Sequence, residues 1–309
     1  MTTPGAPAAL PPQGGAASGP AEPGPRRLLG GAGIHWGAEA LWQQLEPLLP
    51  GLSVEVLPEV ASTNTLLVER ARADHAPCLL VAEAQTAGRG RLGRAWVSAP
   101  GASLTFSIAL PLAPRSWSGL SLAVGLAVAD ALDPAPATSP KIGLKWPNDL
   151  WLRNRKLGGI LIETVVRGNE RIVVAGIGLN LQPQAIDGTA SLDEIDGGVD
   201  ADAPAVLARI ALPLVRALLD FQAHGFEAVA AAYARRDVLR GHAVHTIAGG
   251  VAAGVAADGG GGTAEGVDGD GALCVRNAAG ELHRVVSGEV SVRLAPTSSP
   301  ASASGSTAC

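Results

Sequence analysis

The feature that most constrains the fold is a run of glycine and arginine at residues 88–94, GRGRLGR, which lies between two apolar segments. These segments, CLLVAEAQ at 78–85 and SLTFSIALP at 103–111, predict two strands joined by this loop. In an extended segment, the side chains of Arg89 and Arg91 project to the same side. Glycine lets the backbone approach a bound group, and guanidinium groups bind phosphate or carboxylate. The run therefore predicts a flexible, anion-binding loop.

The run is not a Walker A loop, because no Gly-Lys-Ser/Thr follows it. Two other interpretations fit its composition. A solvated surface loop would have a similar composition, and so would an RG-type tract that binds RNA. The formal net charge of −5 and the lack of a second run of this kind argue against the RNA tract. We therefore expect no nucleic-acid partner, and any bound anion must be held by a local group of cations.

Membrane, secreted and metal-binding classes are also not expected. No apolar stretch is long enough to span a bilayer, and the N-terminus lacks the apolar core of a secretory signal. The three cysteines, Cys78, Cys274 and Cys309, are far apart and form no C-x-x-C pair, which argues against a disulfide framework or a zinc site. The sequence predicts a cytoplasmic protein with reduced cysteines.

Composition divides the chain into four parts. Residues 1–33 and 296–309 are low in complexity, which predicts disorder. Residues 34–240 carry both helical and strand patterns, whereas residues 241–295 contain short strand patterns separated by glycine-rich turns. The predicted fold class is α+β, with a small β-barrel after the mixed domain.

Two further segments carry lysines at strand ends. In KWPND at 145–149, Lys145 should face away from the core, and Asn148-Asp149 should form a turn. In RKLGGILIE at 155–163, a regular strand would place Lys156 on the same face as Gly158, so that the lysine leans over a bare floor. Asp149 would then lie close to both lysines. An ordinary polar strand end remains the alternative for each segment.

Six segments in this order resemble the biotin protein ligases, also called biotin–[acetyl-CoA-carboxylase] ligases. They are STN at 62–64, Q-x-x-G-R-G-R-x-G-R-x-W at 85–96, KWPND at 145–149, RKLGGILIE at 155–163, GIGLN at 176–180 and SGEVSVR at 287–293. The resemblance implies a catalytic domain similar to class II aminoacyl-tRNA synthetases and lipoate ligases, followed by an SH3-like barrel. It also implies a two-step reaction, in which biotin and MgATP give biotinyl-5′-AMP. The biotinyl group then passes to a lysine of the biotin carboxyl carrier protein.

The resemblance also implies roles for individual residues. The catalytic set is Lys156, Arg91, Lys145 and Asp149. The biotin-binding set is Ser62, Thr63, Asn64, Gln85, Arg89, Gly90, Arg91 and Lys156. The nucleotide-binding set is Arg89, Arg91, Arg94, Trp96, Lys145, Asn148, Lys156 and Asn180. Asp149 is expected either to accept or orient the proton of the acceptor lysine, or only to hold the turn. No magnesium ligand is identified.

The chain departs from the family pattern at Leu92, where many relatives carry another arginine. Some members also repress transcription through an N-terminal winged helix, but no helix-turn-helix pattern is visible before Ser62, which predicts a ligase without DNA binding. A homodimer is an option at the level of the family. A lipoate or octanoate ligase and a non-catalytic nucleotide-binding regulator are the two alternatives.

Overall fold

The computed structural model describes residues 1, 34–74, 76–134, 140–195, 201–248, 261–286 and 290–294. Internal contacts divide the chain into Met1–Ile34 and His35–Cys309, and all helices and strands given below lie in the second unit. The disorder predicted for 1–33 and 296–309 concerns residues that, Met1 apart, lie outside the described ranges, as do Cys309 and residues 287–289 of the SGEVSVR segment.

Five helices and twelve strands follow one another along these described residues. In chain order they are α1 (Ala38–Leu45), β1 (Ser53–Val60), α2 (Thr63–Ala71), β2 (Cys78–Gln85), β3 (Ser103–Pro111), α3 (Leu120–Leu132), β4 (Ile142–Lys145), β5 (Asp149–Leu152), β6 (Arg155–Arg167), β7 (Glu170–Asn180), α4 (Ala203–His224), α5 (Glu227–Ala234), β8 (Ala243–Ala248), β9 (Gly261–Val267), β10 (Leu273–Arg276), β11 (Leu282–Val285) and β12 (Val290–Leu294).

The first seven strands form one sheet in the order β1-β2-β3-β7-β6-β5-β4. Strands β1 and β2 are parallel, and the other neighbours are antiparallel. Helix α2 packs on one face of this sheet, against β2, β3, β6 and β7, while α3 and α4 pack on the other face. Because both faces are covered, every residue of β3 except its last is buried.

Helix α2 begins where the sequence predicts a capped helix. Ser62 has extended backbone dihedrals, and its side chain accepts a hydrogen bond from Thr65 N at 3.4 Å. Leu67 and Ala71 then face the sheet and are buried. The cap thus brings Thr63 and Asn64, also buried, to the sheet at the start of the helix.

The β5–β6 hairpin contains an irregularity that the sequence did not predict. Arg153 and Asn154 have positive φ angles of 49° and 61°, as a tight two-residue turn requires. Beyond the turn, Trp151 pairs with Lys156 but Leu150 pairs with Gly158, so β6 contains one extra residue. The face-sharing prediction for Lys156 and Gly158 is therefore wrong, because the bulge reverses the alternation.

Strand β4 is held from outside the sheet by the segment that follows α5. Leu144 N donates to Arg236 O at 2.7 Å, and Val238 N donates to Leu144 O at 3.1 Å. The buried Arg236 guanidinium also donates to Asp133 Oδ2 at 2.9 Å and to Ile142 O at 2.8 Å. These bonds cover the edge of β4 and fix the strand that ends at Lys145.

The last five strands form a second, antiparallel sheet in the order β11-β10-β9-β8-β12. This is the small all-β module that was expected after the mixed domain. One of the short strand patterns predicted within residues 241–295, AAGVAAD at 252–258, lies outside the described residues. The domain boundaries themselves remain predictions. None of the helices in the described part of the chain combines the length and apolar character that a membrane crossing requires.

The turn before β10 makes a close backbone approach to the residue before α3. Gly271 has a φ of 79°, and a Cβ added there would lie 2.6 Å from the Cα of Gly119, which precedes α3. Next to this contact, the buried Trp146 donates its indole Nε1–H to Gly271 O at 3.1 Å. The turn before β10 therefore packs against the residues just after β4.

Replacing Gly271 by alanine should destabilise the protein more than the same change at Gly280. Both residues have positive φ angles, of 79° and 84°, but nothing lies within 4 Å of a Cβ added to Gly280. Both changes cost about 1–2 kcal/mol of backbone strain, and only Gly271→Ala adds a clash with Gly119. Urea unfolding measures the difference; equal midpoints with equal m-values would show that the close approach is absent.

Candidate active site

A cavity of about 180 Å³ lies beside the N-terminus of α2, the Gly/Arg loop (residues 86–97) and the β4–β5 turn. Its lining contains nearly all of the site residues predicted from the sequence. They are Ser62, Thr63, Asn64, Gln85, Arg89, Gly90, Arg91, Arg94, Trp96, Lys145, Asn148, Asp149 and Lys156. The structure thus brings together side chains from four separate segments of the chain, 62–64, 85–96, 145–149 and the start of β6.

The floor of the cavity is a row of paired residues that crosses five strands. Thr105 pairs with Gly178, Gly178 with Gly159, Gly159 with Asp149, and Asp149 with Lys145. The two glycines in the middle leave the floor without side chains. A Cβ at Gly178 would overlap the ring of Trp96, and one at Gly159 would lie 3.3 Å from Lys156 Nζ. Lys156 therefore leans over Gly159, not over Gly158 as predicted.

The GIGLN segment has a clearer purpose in the structure than its sequence suggests. Gly176 and Gly178 are two residues apart on β7, so both face the cavity. A Cβ at Gly176 would overlap the amide of Asn64, as one at Gly178 would overlap Trp96. The sequence indicates this role through the two-residue spacing of Gly176 and Gly178, which places both on one face of a strand.

Neutral polar groups form the end of the cavity next to α2. Gln85 Oε1 accepts hydrogen bonds from Thr63 N at 2.7 Å and Thr63 Oγ1 at 3.1 Å. The fully buried Ser107 Oγ lies 2.7 Å from Thr63 Oγ1 and 2.6 Å from Asn64 Oδ1. Sequence reasoning missed Ser107 and Thr105, although a hydroxyl at alternate positions of an apolar strand is a recognisable signal.

The Gly/Arg loop forms a small hairpin. Gly90 N donates to Arg94 O at 2.7 Å, Trp96 N donates to Gly88 O at 2.9 Å, and residue 89 forms an isolated bridge with residue 95. A short turn at Arg91–Gly93, with Leu92 at a φ of 57°, interrupts the extended backbone. Gly90, which separates the two arginines, is extended, and both Arg89 and Arg91 line the cavity, as the alternation predicts.

The two guanidinium groups reach opposite ends of the cavity. Arg89 Nη1 donates to Thr65 Oγ1 on α2 at 3.4 Å, whereas Arg91 Nη1 donates to Asn148 Oδ1 in the β4–β5 turn at 3.4 Å. Burial lowers the pKa of the Arg91 guanidinium below its ordinary value, and the nearby Asp149 carboxylate acts in the opposite direction. The loop is thus attached on both sides of the cavity.

An ion pair lies at the end of the cavity formed by β4–β6. Lys156 Nζ is 2.8 Å from Asp149 Oδ1, as expected for residues close along this hairpin. Lys145 Nζ lies 4.5 Å from the ring centroid of Trp151, and Asn148 Nδ2 donates to Ile160 O at 2.7 Å. The turn spans residues 146–148, whereas the prediction placed it at Asn148-Asp149, and the Trp146-Pro147 peptide bond is cis.

Asn180 is the one predicted site residue that does not line this cavity. Its amide nitrogen donates to Lys156 O at 3.3 Å and to Ala190 O at 3.0 Å. The side chain therefore joins the backbone of Lys156 to the segment before α4. Its nucleotide-binding role remains a prediction, and its observed contacts support the position of Lys156.

The cavity is strongly cationic within an acidic chain. Five of the residues that line it are basic and one, Asp149, is acidic. The whole chain has a formal net charge of −5. Within the described residues, no group of three or more His, Cys, Asp or Glu could hold a metal ion. Such a site is suited to bringing two anions together.

Comparison with known proteins assigns the family. The model of the Biotin/lipoate A/B protein ligase family matches residues 56–180, and that of the Biotin protein ligase C terminal domain matches residues 261–293. A biotin–[acetyl-CoA-carboxylase] ligase of Paracoccus denitrificans is 30% identical over 239 residues, which cover 73% of this chain and 95% of that protein. The chain belongs to the biotin protein ligase family. The first match covers nearly all of the seven-stranded sheet, and the second covers β9–β11 and most of β12 in the smaller sheet.

Solved structures of the family have the same fold. The biotin protein ligase from Aquifex aeolicus, in complex with biotin and ATP, matches with a TM-score of 0.63 and 30% identity. The match covers 78% of this chain and 99% of the Aquifex chain. The α+β fold predicted from the sequence is confirmed.

Two other members of the family are more similar in sequence over a shorter region. A biotin–[acetyl-CoA-carboxylase] ligase of Mycobacterium tuberculosis is 40% identical over 173 residues, or 53% of this chain and 60% of that ligase. The bifunctional ligase/repressor of Escherichia coli is 37% identical over 192 residues, or 59% of each chain. The chain thus spans about three-fifths of the length of these two relatives.

Replacing Ser107 by alanine should lower the free energy of unfolding by about 1–3 kcal/mol, because Asn64 Oδ1 would lose a buried donor at 2.6 Å. Ser53→Ala is the matched control, since Ser53 is exposed and its hydroxyl donates to Glu55 Oε1 at 3.3 Å, away from any buried polar group. Urea unfolding of both variants measures the effect. An unchanged Ser107→Ala midpoint would contradict the buried polar arrangement.

Proposed function

We propose that the protein is a biotin–[acetyl-CoA-carboxylase] ligase. In the first step, the biotin carboxylate attacks the α-phosphorus of ATP, giving biotinyl-5′-AMP and pyrophosphate. In the second step, a lysine of the biotin carboxyl carrier protein attacks the acyl carbon and releases AMP. The observation that carries the proposal is the cluster of five basic side chains around one glycine-floored cavity.

The cations address the main barrier to the first step. A carboxylate and a phosphate about 4 Å apart repel by roughly 4 kcal/mol at an effective dielectric constant of about 20. That energy corresponds to about three powers of ten in rate. Lys156, Lys145 and Arg91 line the side of the cavity formed by β4–β6 and the Gly/Arg loop. They would neutralise both anions and the charge that develops between them.

The opposite end of the cavity suits the neutral head of biotin. The ureido group of biotin offers one acceptor and two donors, and the neutral side chains of Ser62, Thr63, Asn64 and Gln85 lie at this end. The bare floor between the ends, at Gly159 and Gly178, leaves room for the apolar ring and chain. Biotin would thus extend from α2 towards Lys156.

Other substrates and partners follow from the same proposal. Magnesium would enter bound to the phosphates of ATP. The biotin carboxyl carrier protein is the macromolecular partner that we propose, and we propose neither nucleic acid nor a membrane. Titration of a biotin-operon fragment at low salt checks the DNA prediction, which sequence-dependent binding would contradict. A cytoplasmic location and a homodimer remain expectations from the sequence and the family.

Pyrophosphate exchange tests the proposed function directly. The protein is assayed with ATP and either biotin, lipoate or octanoate, and then with biotin, ATP and an apo carrier domain. We expect pyrophosphate exchange with biotin but not with lipoate or octanoate, and then labelling of the carrier domain. Exchange only with lipoate or octanoate would assign a different ligase activity, and binding without exchange would indicate a regulator.

Replacing Asp149 by asparagine should reduce both half-reactions by roughly 10- to 100-fold, the range for a hydrogen bond between charged groups. We propose that Asp149 holds Lys156, whose Nζ lies 2.8 Å from its carboxylate, in the position needed for adenylation. Lys156→Ala, expected to abolish exchange while the protein stays folded, is the reference. If Asp149 only accepts the proton of the acceptor lysine, carrier labelling alone should fall.

Replacing Arg91 by glycine should let the adenylate escape. The side chain bonds to Asn148 across the cavity at 3.4 Å, so its loss detaches one end of the Gly/Arg loop. Freed biotinyl-5′-AMP would label lysines of a bystander protein, which mass spectrometry detects. Arg115→Gly removes an exposed arginine outside the cavity and serves as the control. Unchanged selectivity in Arg91→Gly would count against a covering role.

A further inference from the structure

Glu163 lies on β6 just outside the cavity, and nothing in the proposed chemistry uses it. Its two carboxylate oxygens face two different residues of the cavity wall. Oε2 accepts a hydrogen bond from Asn64 Nδ2 at 2.9 Å, and Oε1 lies 3.8 Å from Arg89 Nη2. One side chain thus contacts both the polar end of the cavity and the Gly/Arg loop.

The first contact fixes the amide of Asn64. Its nitrogen donates to Leu161 O at 3.2 Å as well as to Glu163, and its oxygen accepts from Ser107 Oγ at 2.6 Å. With both faces of the amide engaged, Asn64 cannot turn over without losing bonds on each side. The missing Cβ of Gly176 provides the space in which the amide lies.

The second contact holds the Gly/Arg loop at the α2 side. Arg89 contacts Thr65 Oγ1 at 3.4 Å and Glu163 at 3.8 Å, whereas Arg91 contacts Asn148 on the far side. The Glu163 carboxylate is about one-quarter exposed and Arg89 about half exposed, with side-chain values of 26% and 51%. The ion pair is therefore partly screened, and its strength is enough to bias a loop rather than to lock it.

The position of Glu163 keeps its negative charge outside the cavity lining. Asp149, the acidic residue of the lining, is already paired with Lys156 at 2.8 Å. Glu163 supplies a second carboxylate outside the lining, where it attracts Arg89 without placing negative charge beside the bound anions. With a neutral residue at position 163, Arg89 would lose this ion pair and keep its 3.4 Å contact with the hydroxyl of Thr65.

We propose that Glu163 is a positioning residue of the ligase reaction. One oxygen orients Asn64 for the biotin head, and the other keeps the Gly/Arg loop closed over biotinyl-5′-AMP. This inference rests on the proposed function. If it holds, the Glu163 carboxylate couples the recognition of biotin to the retention of biotinyl-5′-AMP.

Two substitutions separate the two contacts. Glu163→Gln keeps an amide oxygen for Asn64 but removes the charge that faces Arg89, so bound adenylate should dissociate about three- to fivefold faster, with the KM for biotin within about twofold of normal. Glu163→Ala removes both contacts and should also raise the KM for biotin about tenfold or more. The dissociation rate is measured by chasing labelled biotinyl-5′-AMP from the enzyme.

Glu55→Gln is the matched control, because it breaks a partly exposed ion pair with Arg70 at 2.7 Å, remote from the cavity. It should change neither quantity. In a double-mutant cycle, Arg89→Gln together with Glu163→Gln should lose adenylate no faster than Arg89→Gln alone. If Glu163 had a purely structural role, its substitution would shift the unfolding midpoint, and the effects of Arg89→Gln and Glu163→Gln on adenylate loss would be additive.

The outcomes distinguish the inference from the proposed function. If the unmodified protein shows no biotin-dependent pyrophosphate exchange, the proposed function fails. If it is active but Glu163→Gln retains adenylate normally, or the two charge changes prove additive, the positioning role is wrong. Should Glu163→Ala fail to fold, Glu163→Gln, which preserves size and shape, decides the matter.

Discussion

The cavity depends on two glycines that lie side by side in the middle of the seven-stranded sheet. Gly159 and Gly178 are paired neighbours on β6 and β7, and their missing side chains open the floor between Asp149 and Thr105. Trp96 lies over one of them and Lys156 over the other. A Cβ at Gly178 would overlap Trp96, and one at Gly159 would crowd Lys156 Nζ at 3.3 Å. The geometry of the site is thus fixed by strand register as much as by the residues that carry charge.

Electrostatic complementarity follows from that floor. The sheet places a neutral polar end beside α2 and a cationic end beside β4, and the Gly/Arg loop is attached to both by one arginine each. A chain of net charge −5 thus keeps five basic side chains around one cavity. The arrangement restricts attraction for anions to the place where, under the proposed function, the biotin carboxylate and ATP would meet.

Much of this architecture could be predicted from the sequence, since strand alternation, the cap at Ser62 and six ordered motifs all act locally. The bulge at Leu157 could not, because a strand of regular period was assumed and one extra residue reverses every later side chain. Ser107 and Glu163 were missed because their importance lies in hydrogen bonds to residues over 40 positions away. Asn180 matched a motif, yet its side chain bonds to the backbone of Lys156 and lies outside the cavity lining.

The bond from Trp146 to Gly271 limits where this polypeptide can be divided. A fragment ending between α5 and β8 would keep every predicted catalytic side chain but would lose the carbonyl that accepts the indole N–H. It would also uncover one wall of the cavity, because Trp146 is both buried and part of the lining. For protein engineers, the small C-terminal sheet is therefore structurally part of the half that holds the cavity, and split or minimised versions of the protein should retain it.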